Sequence, residues 1–233
     1  MKKILKRLGK TFYHTQGDVH TQYGVIKEGD LTGNRAVSNT GKEFIVFDAK
    51  FVDSLKKIKR GAATMHLKDI GTILGYTGVG KDSVCLEAGA GSGMLTLCLS
   101  NVCKKVYSYE KNADGFKIVN KNLETFKVDN VELKNQSVSE AKETDIDLMV
   151  LDLQNPWDFL DVAYESLKGG AYLVCYLPTT TQLGDLIRSF NEEFIVERVC
   201  EVLQRDWVVE GKKVRPLNQM LGHTAFLVFL RKV

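Results

Sequence analysis

Five cysteines occur in 233 residues, yet no two form a Cys-x-x-Cys pair. The spacing of Cys85, Cys98, Cys103, Cys175 and Cys200 matches no zinc site, so no metal centre is expected. Cys85, Cys98 and Cys175 sit in apolar runs, where a free thiol packs as a small hydrophobe, and the reading is a reducing, cytoplasmic setting. No stretch approaches the roughly 18 apolar residues of a membrane span, and the N-terminus lacks the apolar core of a secretory leader. Internal repeats and low-complexity segments are missing as well. Charge of one sign is not in excess either. The 32 Lys and Arg against 29 Asp and Glu leave a net +3, which permits an anionic partner without demanding one.

What is present is an organising stretch, Val84 to Thr96, reading Val-Cys-Leu-Glu-Ala-Gly-Ala-Gly-Ser-Gly-Met-Leu-Thr. Val84, Cys85 and Leu86 suit a strand covered on both faces. Gly89, Gly91 and Gly93 then form a loop in which a ligand can approach the main chain closely. Ser92 is placed to cap the apolar helical run from Met94 to Leu99. A strand, glycine loop and helix at the carboxyl edge of a sheet is where doubly wound folds bind nucleotide-like cofactors. No Gly-Lys-Ser/Thr follows this loop, which excludes a P-loop, and Met94 stands where a dinucleotide fingerprint needs its last glycine. Glu110 ends the next apolar run, Val106 to Tyr109. A carboxylate about 20 residues beyond such a loop can take both hydroxyls of an adenosine ribose.

The rest of the chain sorts around that stretch. Residues 1–10 carry Lys2, Lys3, Lys6, Arg7 and Lys10 without an acid, and read either as a solvated tail or as a phosphate-seeking arm. Short apolar runs between turns over residues 11–47 give a small β-rich domain, 1–47, before a larger domain, 48–233. Asp48 is expected to cap a helix reaching about Ile58, with Phe51, Val52, Leu55 and Ile58 on one face. A second helix is expected over about 68–76. From 83 onward, strands and helices alternate: strands at 83–88, 105–109, about 131–133, 146–152 and 171–176, with helices between. Gly169-Gly170 is expected to stop a helix, and Thr180 to Phe190 to form another. Two closing strands, 194–203 and 225–230, suggest an antiparallel pair.

A second chemical constellation is Leu151-Asp152-Leu153-Gln154-Asn155-Pro156-Trp157, an apolar strand running into a polar loop. Asp152 stands at the sheet's carboxyl edge, either as a cap or as the group that faces a substrate.

The loop Leu86 to Gly93 resembles the cofactor loop of class I methyltransferases, which bind S-adenosylmethionine. The larger pattern resembles the tRNA adenine-N1 methyltransferases, the family that modifies adenine 58 of the T-loop. Its Leu-Asp-Leu-x-x-Pro-Trp motif is matched at Leu151 to Trp157. Other matching pieces are His20 to Ile26, Gly41 to Phe44, Met65 to Asp69, Ser108 to Glu110 and Gly222 to Leu227. Asn155 replaces the acid the family usually has before Pro-Trp. His66 stands where Tyr is common, and Asn135-Gln136-Ser137 where an acid usually meets the cofactor adenine.

The resemblance implies an α/β fold: a doubly wound, mainly parallel seven-stranded sheet with an antiparallel closing strand, plus the small N-terminal β domain. It implies S-adenosylmethionine as cofactor, surrounded by Glu87, Gly89, Gly91, Ser92, Gly93, Met94, Leu95, Glu110, Gln136 and Asp152. It implies tRNA as partner and a homotetramer. Methylation of adenine N1 builds positive charge over N1, C6 and the N6 amino group. Asp152, kept ionised, would accept from N6 and stabilise that charge. His66 and Trp157 are candidates to stack on a flipped base, against plainer readings as a loop histidine and a core tryptophan. His223 and Thr224 read as part of a packed closing strand. Basic groups at Lys56, Lys57, Lys59, Arg60, Lys212, Lys213 and Arg215 are candidates for phosphates. The competing readings are another methyltransferase on the same fold and a non-catalytic tRNA-binding partner subunit.

Overall fold

The structure is a computed structural model and describes residues 3–61, 64–189 and 192–233. The chain divides into two compact units, Met1–Ile58 and Lys59–Val233. The first therefore ends after Ile58 rather than after residue 47.

In the first unit the strands are β1 (Lys3–Arg7), β2 (Lys10–His14), β3 (Val19–Thr21), β4 (Gly24–Ile26), β5 (Arg35–Val37) and β6 (Glu43–Asp48), followed by a short helix, α1 (Phe51–Leu55). A four-stranded antiparallel sheet runs in the order β2-β1-β6-β5, and β3 pairs with β4. The basic segment is thus a central strand, and neither the tail nor the free-arm reading holds for Lys3–Arg7. Ile4 and Leu5 are buried, and Leu5 joins Val19, Ile26, Phe44 and Val46 in the core. Two of the cations flanking them are spent within the unit. Lys3 pairs with Asp48 at 2.8 Å, and Arg7 Nη1 donates to the Glu43 carbonyl at 2.6 Å. Lys2 lies outside the described residues. Asp48, expected as a cap, instead ends β6. The residue before α1 is Lys50, whose N–H donates to Asp53 Oδ2 at 3.0 Å. Lys57 lies 4.6 Å above the Tyr13 ring, which ties the end of the helical segment to this unit.

The second unit contains α2 (Leu67–Thr77), β7 (Val84–Ala88), α3 (Met94–Ser100), β8 (Lys105–Tyr109), α4 (Ala113–Phe126), β9 (Val131–Lys134), β10 (Ile146–Leu151), α5 (Leu160–Ser166), β11 (Leu167–Leu177), α6 (Thr180–Ser189), β12 (Phe194–Cys200), β13 (Trp207–Glu210), β14 (Lys213–Pro216) and β15 (Phe226–Lys232). Seven strands form one sheet in the order β12-β15-β11-β10-β7-β8-β9. The pairs from β11 across to β9 are parallel, and β15 runs antiparallel to both β11 and β12. This is the sheet expected from the sequence. Its parallel strands are apolar because helices cover both faces; Leu86, Met149, Leu151, Leu173 and Cys175 are all buried. Strand order reverses between β7 and β10, so their carboxyl ends open the crevice in which ligands of such sheets sit.

One local expectation changes. Gly169-Gly170 does not stop α5, which ends at Ser166; both glycines lie within β11. Gly170 takes φ +76°, and the register slips from Ile146↔Leu167 to Leu148↔Tyr172, so the pair serves a bulge. A hairpin, β13–β14, occupies the stretch between the two closing strands. The α6 helix is described to Ser189, and Phe190 lies outside the described residues.

Candidate active site

The glycine loop leaves β7 in left-handed backbone, with Gly89 at φ +85°, Gly91 at +57° and Gly93 at +75°. At Gly89 the requirement is absolute. A Cβ there would lie 2.0 Å from the Asp152 carbonyl oxygen. The loop thus packs directly on the chain leaving β10, while the N–H groups of Gly89 and Ala90 donate to the Tyr109 carbonyl at 3.0 and 3.3 Å. Gly93, not Ser92, is the residue before α3, and no side chain caps that helix. Ser92 is buried instead, with its Oγ 3.0 Å from Thr64 Oγ1 and its carbonyl accepting from Asn122 Nδ2 at 2.9 Å.

Glu110 follows β8 and faces the loop. Its Oε2 accepts from the Gly91 N–H and its Oε1 from the Asn112 N–H, both at 2.9 Å. Asn112 in turn caps α4, accepting from the N–H groups of Asp114 and Gly115. Each carboxylate oxygen keeps a second lone-pair site, enough to accept a pair of ribose hydroxyls. Glu87, at the end of β7, is buried, and Ser108 Oγ donates to its Oε1 at 2.8 Å. Burial pushes its carboxyl up to about 7. Hydrogen bonds from Thr96 and Ser108 oppose the rise, and the charges of Asp152 and Glu110 add to it.

Asp152 is different. Its N–H donates to the Ala88 carbonyl at 2.9 Å, which continues the β10–β7 pairing one residue past the strand. Its carboxylate makes no hydrogen bond among the described residues. Burial, with the Glu110 charge adding to it, raises its pKa to about 7. The expectation of a group ionised throughout the neutral range therefore fails for the protein alone. The physical reason is a desolvated carboxylate with no donor; a cation brought beside it would favour the charged form.

These groups line one cleft of about 680 Å³, within the roughly 300–1,000 Å³ usual for small-molecule sites. Glu87, Gly89, Gly91, Ser92, Met94, Leu95, Glu110, Gln136 and Asp152 all line it. Gly93 does not, having its role in the turn. His66 stands exposed at the start of α2, and Trp157 packs against the sheet core; neither is among the lining residues. The core reading of Trp157 is the one the packing supports. Lining residues not singled out from sequence include Thr64, Asn112, Val138 and Phe159. Most of these follow the carboxyl ends of β8, β9 and β10, and that topological signal could have found them. Open glycine backbone, a free-edged Glu110 and mixed polar and apolar walls fit an adenosyl ligand with a charged tail. Among the described residues no group of three or more His, Cys, Asp or Glu could hold a metal ion.

Fold and cleft together define a class I S-adenosylmethionine-dependent methyltransferase. More narrowly, residues 57–218 match the family described as tRNA methyltransferase complex GCD14 subunit, and the chain belongs to that family. It is 33% identical to the tRNA (adenine(58)-N(1))-methyltransferase TrmI of Thermus thermophilus, over 98% of this chain and 91% of that one. Identity to the tRNA (adenine(57)-N(1)/adenine(58)-N(1))-methyltransferase TrmI of Methanocaldococcus jannaschii is 30%, over 91% of this chain and 86% of that one. Among solved structures, the tRNA (m1A58) methyltransferase TrmI of Aquifex aeolicus superposes with a TM-score of 0.86 at 27% identity, covering all of this chain and 97% of that one.

Proposed function

We propose that this chain transfers a methyl group from S-adenosylmethionine to N1 of adenine 58 in the T-loop of tRNA, with Asp152 as the catalytic residue. The observation that carries the role of Asp152 is its position: an unpartnered carboxylate, at the switch point of the sheet, packed by its own carbonyl against the glycine loop. The sulfonium supplies an already activated methyl group, so the protein's work is positioning and charge control. The loop and Glu110 orient the donor side. Adenine N1 has a free lone pair and needs no base. Asp152 accepts from the N6 amino group, orients N1 and stabilises the charge that grows on the ring. An acceptor with no donor among the described residues is suited to this, because none of them competes for its lone pairs. Flipping the base out of the tRNA elbow costs a few kcal/mol, which contacts along the RNA must offset.

Exposed cations on the β13–β14 hairpin, Lys212, Lys213 and Arg215, support RNA contact. A homotetramer is part of the reading. It is supported by exposed apolar groups on the edge strand, Ile195 and Val199, and on the hairpin, Trp207, Val209 and Val214. A cytoplasmic setting is supported by five free cysteines, four of them buried. A structural neighbour from Thermotoga maritima, TM-score 0.87 and 27% identical, carries the description SAM-dependent O-methyltransferase. Mass spectrometry of nucleosides from tRNA incubated with the protein and cofactor decides the target. The expected product is 1-methyladenosine at position 58; a 2′-O-methylated or N6-methylated nucleoside would reject the assignment.

A further inference from the structure

Lys68 and Asp69, in the first turn of α2, form an ion pair that nothing above uses. Lys68 Nζ lies 2.7 Å from Asp69 Oδ1, and both side chains are out of solvent or nearly so. The other oxygen, Oδ2, accepts from Thr224 Oγ1 at 2.9 Å and from Tyr176 Oη at 3.2 Å. Thr224 Oγ1 also accepts from Lys68 Nζ at 2.6 Å. One buried carboxylate thus joins three segments distant in sequence: the start of α2, the carboxyl end of β11 and the segment entering β15. Burying an ion pair costs desolvation that good geometry and further hydrogen bonds only just repay, and apolar packing would serve a plain joint as well. The polar solution is placed where the chemistry is.

That placement follows from register. Leu151 of β10 pairs with Cys175 of β11 in parallel, so Asp152, the first residue past β10, follows beside Tyr176, still within β11. The negative charge of Asp152 reaches the Tyr176 hydroxyl, which burial and Asp69 also hold above its ordinary value. Thr64 and Met65, just ahead of α2, line the cleft. Among the described residues no hydrogen bond fixes the Asp152 side chain, so its packing matters.

We propose that Asp69 is a positioning residue for methyl transfer: through Tyr176 and Thr224 it holds the wall against which the Asp152 carboxylate is set, and through α2 it holds Thr64 and Met65 in the cleft. The inference rests on the role proposed for Asp152 and deepens it. Groups that titrate or carry charge around Asp152 are Glu87 at the end of β7, Glu110 after β8 and Tyr176 at the end of β11.

The test uses Tyr176→Phe, Thr224→Val and Thr224→Ser beside Asp69→Asn, because the last leaves Lys68 unpaired and endangers the fold. Two quantities are read on the full chain. One is the single-turnover rate of tRNA methylation at saturating cofactor and tRNA. The other is the titration midpoint of Asp152, followed by carbon-13 NMR of its carboxyl group. Tyr176→Phe and Thr224→Val are expected to slow methyl transfer about tenfold, the scale of a small misplacement of a reacting group. Cofactor affinity and KM for tRNA should stay unchanged, and the Asp152 midpoint should fall as water reaches a loosened wall. Thr224→Ser keeps the hydroxyl and should behave as wild type in both readouts. An unmoved midpoint in the Phe and Val variants overturns the proposal, whatever the rate does, and so does a Ser variant that behaves like Val. Should the midpoint fall while the unaltered protein leaves adenine 58 unmodified, the positioning role stands and the assigned reaction fails.

Discussion

On the β7–β8 side of the cleft, both carboxylates are engaged before any ligand arrives. Glu87 accepts from Ser108, and Glu110 accepts from two backbone N–H groups. On the β10 side, Asp152 finds no side-chain donor among the described residues and its pKa rises to about 7. The first side is a finished mould, in which loop, strand end and helix cap hold each other. The second is a single acceptor left open beside it. A mould suits a ligand that binds and waits; an open acceptor suits a group whose charge appears only during reaction.

The mould should break hardest. Gly89→Ala puts a Cβ 2.0 Å from the Asp152 carbonyl oxygen in backbone that already takes φ +85°. Isothermal titration should find no measurable S-adenosylmethionine binding, and wild-type affinity there would refute the placement of the loop. Gly91→Val should likewise abolish binding, since Gly91 sits at φ +57° and donates to Glu110.

Glu110→Ala removes the proposed ribose acceptor and the partner of the Gly91 and Asn112 N–H groups. A loss on the order of 1.5–3 kcal/mol, about 10- to 150-fold in cofactor affinity, is expected for charge-assisted contacts. Wild type should prefer the ribose form over a 2′-deoxyadenosyl analogue, and the variant should not. An undiminished preference in the variant would place Glu110 elsewhere.

The open acceptor has a milder signature in pH. With its pKa at about 7, Asp152 is mostly protonated at pH 6 and mostly ionised at pH 8. On the acceptor account the carboxylate is the active form, so kcat/KM, which reports the free protein, should rise about tenfold across that window and level off above it. A falling or flat profile would contradict the acceptor role. Stability runs the other way. A carboxyl raised on folding stabilises the folded state fully below its unfolded pKa, near 4, and that contribution is lost as pH rises through about 7. Smallest of all should be Trp157→Phe. Packed on the core and outside the cleft, Trp157 should cost at most about 2 kcal/mol in a thermal melt and leave the rate within about twofold. A hundredfold fall in rate would restore it as a stacking residue.

The same contrast separates what the sequence shows from what it hides. The mould is local: β7, its loop and Glu110 lie within one strand–helix–strand repeat, where glycine spacing and apolar period speak directly. Errors there are single residues, such as Gly93 in place of Ser92 at the head of α3. The β10 side is assembled from afar. Leu151 to Trp157 shows a strand end with an acid, but Tyr176, whose hydroxyl the Asp152 charge reaches, comes from β11. Asp69 looks in sequence like any acid in a first helical turn. Only the fold shows it buried between Lys68, Thr224 and Tyr176. The N-terminal strand β1 was hidden differently, because Lys3, Lys6 and Arg7 mask the two apolar residues that a central strand needs, Ile4 and Leu5.

The central claim is that Asp152 is an acceptor in the reaction rather than a structural cap, and Asp152→Asn tests it most directly. Asparagine keeps the shape and would serve equally well as a cap. It loses the charge that stabilises the methylated ring. Single-turnover methylation of T-loop adenine should fall by roughly 10²–10³-fold, the scale of one preorganised electrostatic contact, with tRNA affinity nearly unchanged. Methylation by the Asn variant at the wild-type rate would contradict the account and leave Asp152 a structural residue.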